Sequence, residues 1–156
     1  MSFRICGLDP AQFARFVTMS DAQLARHRAR RDTAKEYPGY PCRVTLDDAQ
    51  PGEDVILLNF EHLPVESPYR ASHAIYVRAN AARMYDAIDE VPPALARRLL
   101  SVRGFDAGGL MVSGEVLEGP ALARYIESQF ADPAVAYLHA HFARRGCFAA
   151  RIDRAA

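Results

Sequence analysis

Leu99-Leu100-Ser101-Val102-Arg103-Gly104-Phe105-Asp106-Ala107-Gly108-Gly109-Leu110-Met111-Val112-Ser113-Gly114-Glu115-Val116-Leu117 decides the fold. Two short apolar-rich runs flank Asp106-Ala107-Gly108-Gly109. An acid followed by two glycines supplies the left-handed backbone of a tight turn. The segment therefore reads as two strands, Leu99 to Phe105 and Leu110 to Leu117, folded into a hairpin. The pattern recurs downstream, where Val135 to Phe142 and Cys147 to Ile152 flank Arg144-Arg145-Gly146. Between the hairpins Pro120 opens a helix. Leu122, Tyr125, Ile126 and Phe130 fall on its single apolar face, and Asp132-Pro133 stops it.

Upstream, Asp54 to Glu61 reads as a strand. Its continuous Val55-Ile56-Leu57-Leu58 run suggests cover on both faces. His73 to Arg78, Cys42 to Leu46 and the opening Phe3 to Leu8 read as further strands, and Glu61 to Ser72 reads as irregular. Asp9-Pro10 looks like a helix start, and Ser20-Asp21-Ala22-Gln23 resembles a capping box. That second helix is expected to carry Arg26, Arg28, Arg30 and Arg31 toward its end. Asn80 to Ile88 reads as a short helix or loop, and Pro92 to about Arg98 as a helix. The expectation is an α+β fold: a mostly antiparallel sheet with hairpins and three to four helices packed on it, in a single domain over 1–156.

The 156 residues are half apolar and 24% charged, enough for a real core and unlike a disordered or fibrous chain. Basic and acidic residues balance at 19 each, which argues against charge-driven binding to nucleic acid or membranes. No apolar run is long enough to span a bilayer, and the first residues lack a signal core. Three cysteines, Cys6, Cys42 and Cys147, make no disulfide framework. Reduced thiols and a cytoplasmic location are expected. Lys35 is the only lysine, and base composition is the bland explanation for the abundant arginine.

Chemistry concentrates in three places. His139 and His141 lie two apart on an expected strand, so both point to one face with Tyr137, while Leu138, Ala140 and Phe142 point to the other. Two imidazoles on one face suit a shared metal or an acid–base site. The stretch from Asn59 to His73 gathers Asn59, Glu61, His62, Tyr69, Arg70 and His73 after the best core strand, where a loop can preorganise polar groups. Cys42 precedes Arg43, and a guanidinium can activate a thiolate. Cysteine is also a common buried residue, and an internally bonded polar loop is the bland reading of 59–73. Arg26 to Arg31 suits a solvated face better than a nucleic-acid contact. The sequence holds no phosphate loop, dinucleotide fingerprint, HExxH or Gly-x-Ser-x-Gly elbow.

Gly39-Tyr40-Pro41-Cys42-Arg43 with Leu46, Pro51-Gly52-Glu53, Ser67-Pro68-Tyr69, Asp132-Pro133-Ala134-Val135-Ala136-Tyr137 with His139, Gly146-Cys147-Phe148 and Arg151-Ile152-Asp153 together resemble a bacterial family known as a domain of unknown function. The resemblance implies one domain across most of the chain and assigns no activity. Many members of that family carry His and Cys directly after the Cys-Arg pair. Val44 and Thr45 stand there in this chain, which weakens a metal reading around Cys42.

The leading expectation is a small-molecule site or enzyme. Arg43 and Arg70 would hold an anionic group, and His62, His73, His139, His141 and Cys42 would supply catalysis. Asn59, Glu61 and Tyr69 would bind and orient the ligand. The sequence requires no cofactor, but zinc on Cys42, Cys147, His139 and His141 is compatible with the ligand types. The alternatives are a structural zinc site using Cys42, Cys147 and one or both of His139 and His141, and a non-enzymatic binding or assembly module whose sheet edge or arginine surface meets a protein partner or pairs into a homodimer.

Overall fold

A computed structural model describes every residue from Met1 to Ala156. In chain order the strands are β1 (Phe3–Cys6), β2 (Arg30–Thr33), β3 (Asp54–Leu63), β4 (Ala71–Arg78), β5 (Asp86–Ile88), β6 (Leu99–Phe105), β7 (Met111–Glu118), β8 (Tyr137–Phe142) and β9 (Phe148–Arg154). The helices are α1 (Ala14–Val17), α2 (Asp21–Arg26), α3 (Pro93–Ala96) and α4 (Leu122–Phe130). The α+β class is as expected. The strands divide between a six-stranded sheet, ordered β5-β1-β9-β8-β6-β7, and a three-stranded sheet, β2-β3-β4. All pairings between named strands are antiparallel.

The large sheet grows from the two local hairpins. Asp106 Oδ1 accepts from the N–H groups of Gly108 and Leu110, and Gly109 sits at φ 82°. Gly146 does the same service at φ 78° between β8 and β9. Period two then sorts the side chains of β8. Leu138 and Ala140 join Leu100, Val102, Ile152 and the α4 residues Leu122, Ile126 and Phe130 in an 18-residue core. Burial of each large member contributes about 1.5–3 kcal/mol. On the opposite face His139 stands beside Arg103, and His141 beside Ser101.

The small sheet builds a second core. Ile56, Leu58, Ile75 and Val77 meet Phe13, Phe16 and Leu24. Val55 points the other way and packs on Ala34 and Ala49. This accounts for the unbroken apolar run at the start of β3. The capping box forms as expected: Ser20 Oγ accepts from Gln23 N–H, and Gln23 Oε1 from Ser20 N–H.

Several local expectations change. The second helix ends at Arg26, because Arg28 adopts φ 55° and Arg30–Thr33 becomes β2, paired with β3. Only Leu24 offered an apolar grip for a longer helix. Cys42 to Leu46 is a closed loop rather than a strand. Cys42 N–H reaches Asp47 O, Leu46 N–H reaches Cys42 O, and Leu46 sits at φ 51°. Asn80 to Ile88 contains β5, paired with β1. Glu61 to Leu63 and Ala71 to Ser72 extend β3 and β4, so the irregular stretch shrinks to 64–70. Pro93–Ala96 is a single turn, shorter than expected.

The 37–49 segment is held by a buried carboxylate. Asp48 is 1% exposed and accepts from Gly39 N–H, Arg97 and Arg98 at 2.6–3.0 Å. Burial pushes this carboxyl up. The hydrogen bonds and charge of Arg98, with Gly39 and Arg97, outweigh burial and hold it below the usual carboxylate range. Its stabilisation is therefore present above the ordinary carboxylate pKa, about 3.9, and is lost as pH falls through the lower folded value. Asp48→Ala is expected to cost about 2–4 kcal/mol in urea unfolding at neutral pH. A loss below about 0.5 kcal/mol, the level of an ordinary surface change, would contradict this role.

Candidate functional site

Three histidines converge between the sheets. His139 and His141 come from β8, and His62 from a register shift near the end of β3. There Glu61 pairs with Ser72 and Leu63 with Ala71, which leaves His62 as the extra residue of a bulge. A bulge re-aims a side chain. One potential ligand nitrogen from each of His62, His139 and His141 lies within 4.8 Å of the other two.

The cluster is largely buried and aromatic, with His62 its partly exposed member. His139 is 1% exposed and His141 2%. Phe148 stacks on His62 at 5.1 Å between centroids and presents its ring to His139 and His141 at 5.0 and 6.0 Å. Phe105 and Tyr137 flank His139 at 5.4 and 5.5 Å. His141 Nδ1 lies 3.0 Å from Gly146 O, so this nitrogen carries the proton and donates. The buried Nδ1 atoms of His62 and His139 have no hydrogen-bond partner. Arg103 stands beside them, partly buried, with only Ser101 Oγ at 3.3 Å as a side-chain partner.

A second feature joins the sheets. Arg43 is 2% exposed. Its guanidinium donates to Phe148 O at 2.8 Å, Pro41 O at 2.6 Å and Cys147 Sγ at 3.0 Å, and it lies over the Phe142 ring at 4.9 Å. Burial lowers its pKa against the neighbouring Cys147 and Cys42. Cys42 Sγ accepts from Val44 and Arg78 N–H groups at 3.4 and 3.3 Å. All three thiols are free, and Cys6 sits half-buried beside Asp86.

A cleft of about 790 Å³ opens beside Arg43. Its walls come from both sheets: Leu57, His73 and Tyr76 on one side, and Leu99, Phe142 and Cys147 on the other. Arg97, Arg98, Arg144 and Arg145 also line it, with Glu36 and Glu118 as the acids.

The expected site residues thus separate. His62, His139 and His141 come together. Arg43, His73 and Cys147 line the cleft. Cys42 and Cys147 lie outside the histidine cluster, so no four-residue group of Cys42, Cys147, His139 and His141 assembles. Arg70 is bound by Glu61 and Glu66 at 2.8–3.2 Å on the surface. Asn59 and Tyr69 are exposed and line neither place. The sequence reasoning missed Arg103, Arg144, Arg145 and Phe148. The signal for Arg103 was its position on β6, because strand pairing alone puts it beside His139.

Residues 39–154 match the family described as "Protein of unknown function (DUF1203)". The chain belongs to that family. No curated protein and no solved structure matches it. No helix is long and apolar enough to cross a membrane. The family description assigns no activity.

Burial, followed by the charges of Arg103 and His73, pushes His62 down to about 4. Burial also outweighs the Gly146 hydrogen bond at His141 and lowers it to about 4. Burial and the neighbouring His141 and His62 lower His139 to about 2. The unfolded chain protonates its histidines near 6.5, so it binds more protons than the fold below that pH. Stability is full above about 6.5 and falls toward 4, each histidine contributing at most about 1.4 kcal/mol per pH unit. In chelator-treated protein the urea midpoint should fall over this window, and His62→Gln should flatten the fall. A midpoint independent of pH between those limits excludes neutral, desolvated imidazoles.

Proposed function

We propose that the cleft between the two sheets binds a small organic anion. Arg144 and Arg145 carry the reading: both are exposed, both line the cleft, and neither makes an ion pair. The other three guanidiniums of the wall are already engaged, Arg97 with Asp47 and Asp48, Arg98 with Asp48, and Arg43 with Phe148 O, Pro41 O and Cys147 Sγ. A planar guanidinium fork suits carboxylate and phosphate groups. Tyr40 and Tyr76, with rings 5.3 Å apart, add aromatic surface to the same cleft. The ligand class that fits is therefore an aromatic or amphipathic acid with one charged end. His73 and Cys147, also in the lining, are the groups through which chemistry on such a ligand would pass.

Phenyl phosphate and benzoate are suitable probes. Calorimetric titration should detect binding of at least one, weakening as salt rises. The double variant Arg144→Ala/Arg145→Ala should weaken it about tenfold or more. Undiminished affinity in that variant, or no binding of either probe, removes the reading.

A second reading, pairing of two copies along β7, is supported by that strand's position at the sheet edge. Its Val112 and Val116 are 47% and 55% exposed. Unpaired edges of this kind invite another strand. Sedimentation should then show a dimer that Val116→Lys dissociates. A monomer at all concentrations discards it.

A further inference from the structure

The geometry points to a transition-metal site at His62, His139 and His141, with zinc-class ions as the occupants and a fourth position open to water or an anion. It stands independently of the cleft reading, because none of the three histidines lines the cleft.

Three imidazoles from two strands face one another, with one nitrogen of each within 4.8 Å of the other two. Tetrahedral coordination at 2.0–2.1 Å places ligand nitrogens about 3.3 Å apart, so small ring rotations close the set. His139 is the more telling residue. It is 1% exposed, and its Nδ1 has no partner. A buried polar atom without a partner costs about 1–3 kcal/mol unless something satisfies it. The same orphaning affects His62 Nδ1, on the neighbouring strand pair. His141 is differently poised. Its Nδ1 is occupied by Gly146 O at 3.0 Å, which leaves Nε2 with a free lone pair. A backbone carbonyl behind a histidine is the usual way a metal ligand is oriented.

The donor set selects the ion. Three nitrogens and no carboxylate or thiolate suit zinc, cobalt, nickel or copper, and do not suit calcium or magnesium. Neutral ligands leave the ion its full double charge. Arg103, beside His139 and free of any carboxylate, adds positive charge at the same place. Both charges favour hydroxide or another small anion as the fourth ligand, and water bound to such an ion loses a proton readily. Phe148, Phe105 and Tyr137 form the apolar wall that keeps the coordination sphere fixed.

The test uses full-length protein stripped with a chelator and titrated with Co2+, then with Zn2+ in competition. One equivalent of Co2+ should produce the intense visible absorption of tetrahedral coordination, and Zn2+ should displace it. His62→Ala and His139→Ala should each weaken binding by about a hundredfold or more, while His27→Ala binds as wild type. Should His139→Ala fail to fold, His62→Ala and His141→Gln decide the matter, with circular dichroism confirming their fold. Azide added to the Co2+ form should shift its spectrum, and Arg103→Gln should weaken that response without releasing the metal. Absent stoichiometric Co2+ binding, or unchanged binding in the folded histidine variants, overturns the site. A spectrum indifferent to azide overturns the open fourth position. Phenyl phosphate binding to the cleft is expected to survive His62→Ala, which separates failure of this site from failure of the cleft.

Discussion

The buried guanidinium of Arg43 is the constraint on which the arrangement of the two sheets depends. Its backbone N–H bonds to Tyr76 O in β4, its carbonyl accepts from Leu8 N–H, and its side chain reaches Phe148 O in β9. One residue thus connects the small sheet, the segment after β1 and the large sheet. Taking a cation out of water costs several kcal/mol, and it is tolerated only where hydrogen bonds are complete. Two carbonyls, the Cys147 sulfur and the Phe142 ring supply those contacts. With the guanidinium fixed, the loop from Tyr40 to Asp48 becomes a rigid wall. Asp48 then has Arg97 and Arg98 against it, and the cleft takes its shape.

Two register shifts place the histidines on this frame. Strict alternation along β3 would send His62 to the side of Ile56, Leu58 and Phe60, into the core beneath α1 and α2. The extra residue at the bulge turns it to the large sheet instead. A second shift, between Ala140 and His141, sets His141 opposite Phe148 with Ala149 left over on β9. Phe148 therefore faces all three imidazoles, while its carbonyl holds Arg43. The histidine cluster and the sheet junction share one residue, so each stiffens the other.

What was legible in the sequence follows from the range of the interactions. The hairpins at 106–109 and 143–146 are local, specified by glycine at each turn, by Asp106 at the first, and by alternation on either side. The α4 stripe and the Ser20 capping box are equally local. The pairing of His139 and His141 on one face needed only period two. The failures lie where distant partners decide. Arg30–Thr33 is polar and became a strand because β3 offered it an edge. Cys42 to Leu46 looked like a strand because Val44 and Leu46 are apolar, yet each is buried in a loop against a different core. His62 read as part of a loop site with Arg70 and Tyr69. A bulge carries no strong signature in a single sequence, and it separates His62 from both.

The arginine bias also gains a physical reading. Arg31 donates to Val17 O and Met19 O, and Arg154 to Phe130 O, Asp132 O and Val135 O just past the end of α4. With Arg43, these side chains act as branched clamps that gather two or three backbone carbonyls near the ends of helices, turns and strands. A lysine ammonium presents no planar fork, so it cannot hold two or three carbonyls in fixed geometry. Base composition can enrich arginine across a chain, but it does not place guanidiniums on converging carbonyls. Against that structural use, the arginines without such a duty beside the two candidate sites stand out: Arg103 at the histidines, and Arg144 and Arg145 at the cleft. Balanced overall charge therefore conceals two local excesses of positive charge, each beside groups that can bind or react. Which guanidiniums the fold leaves unoccupied decides where positive charge is free to act, and total charge says little about it.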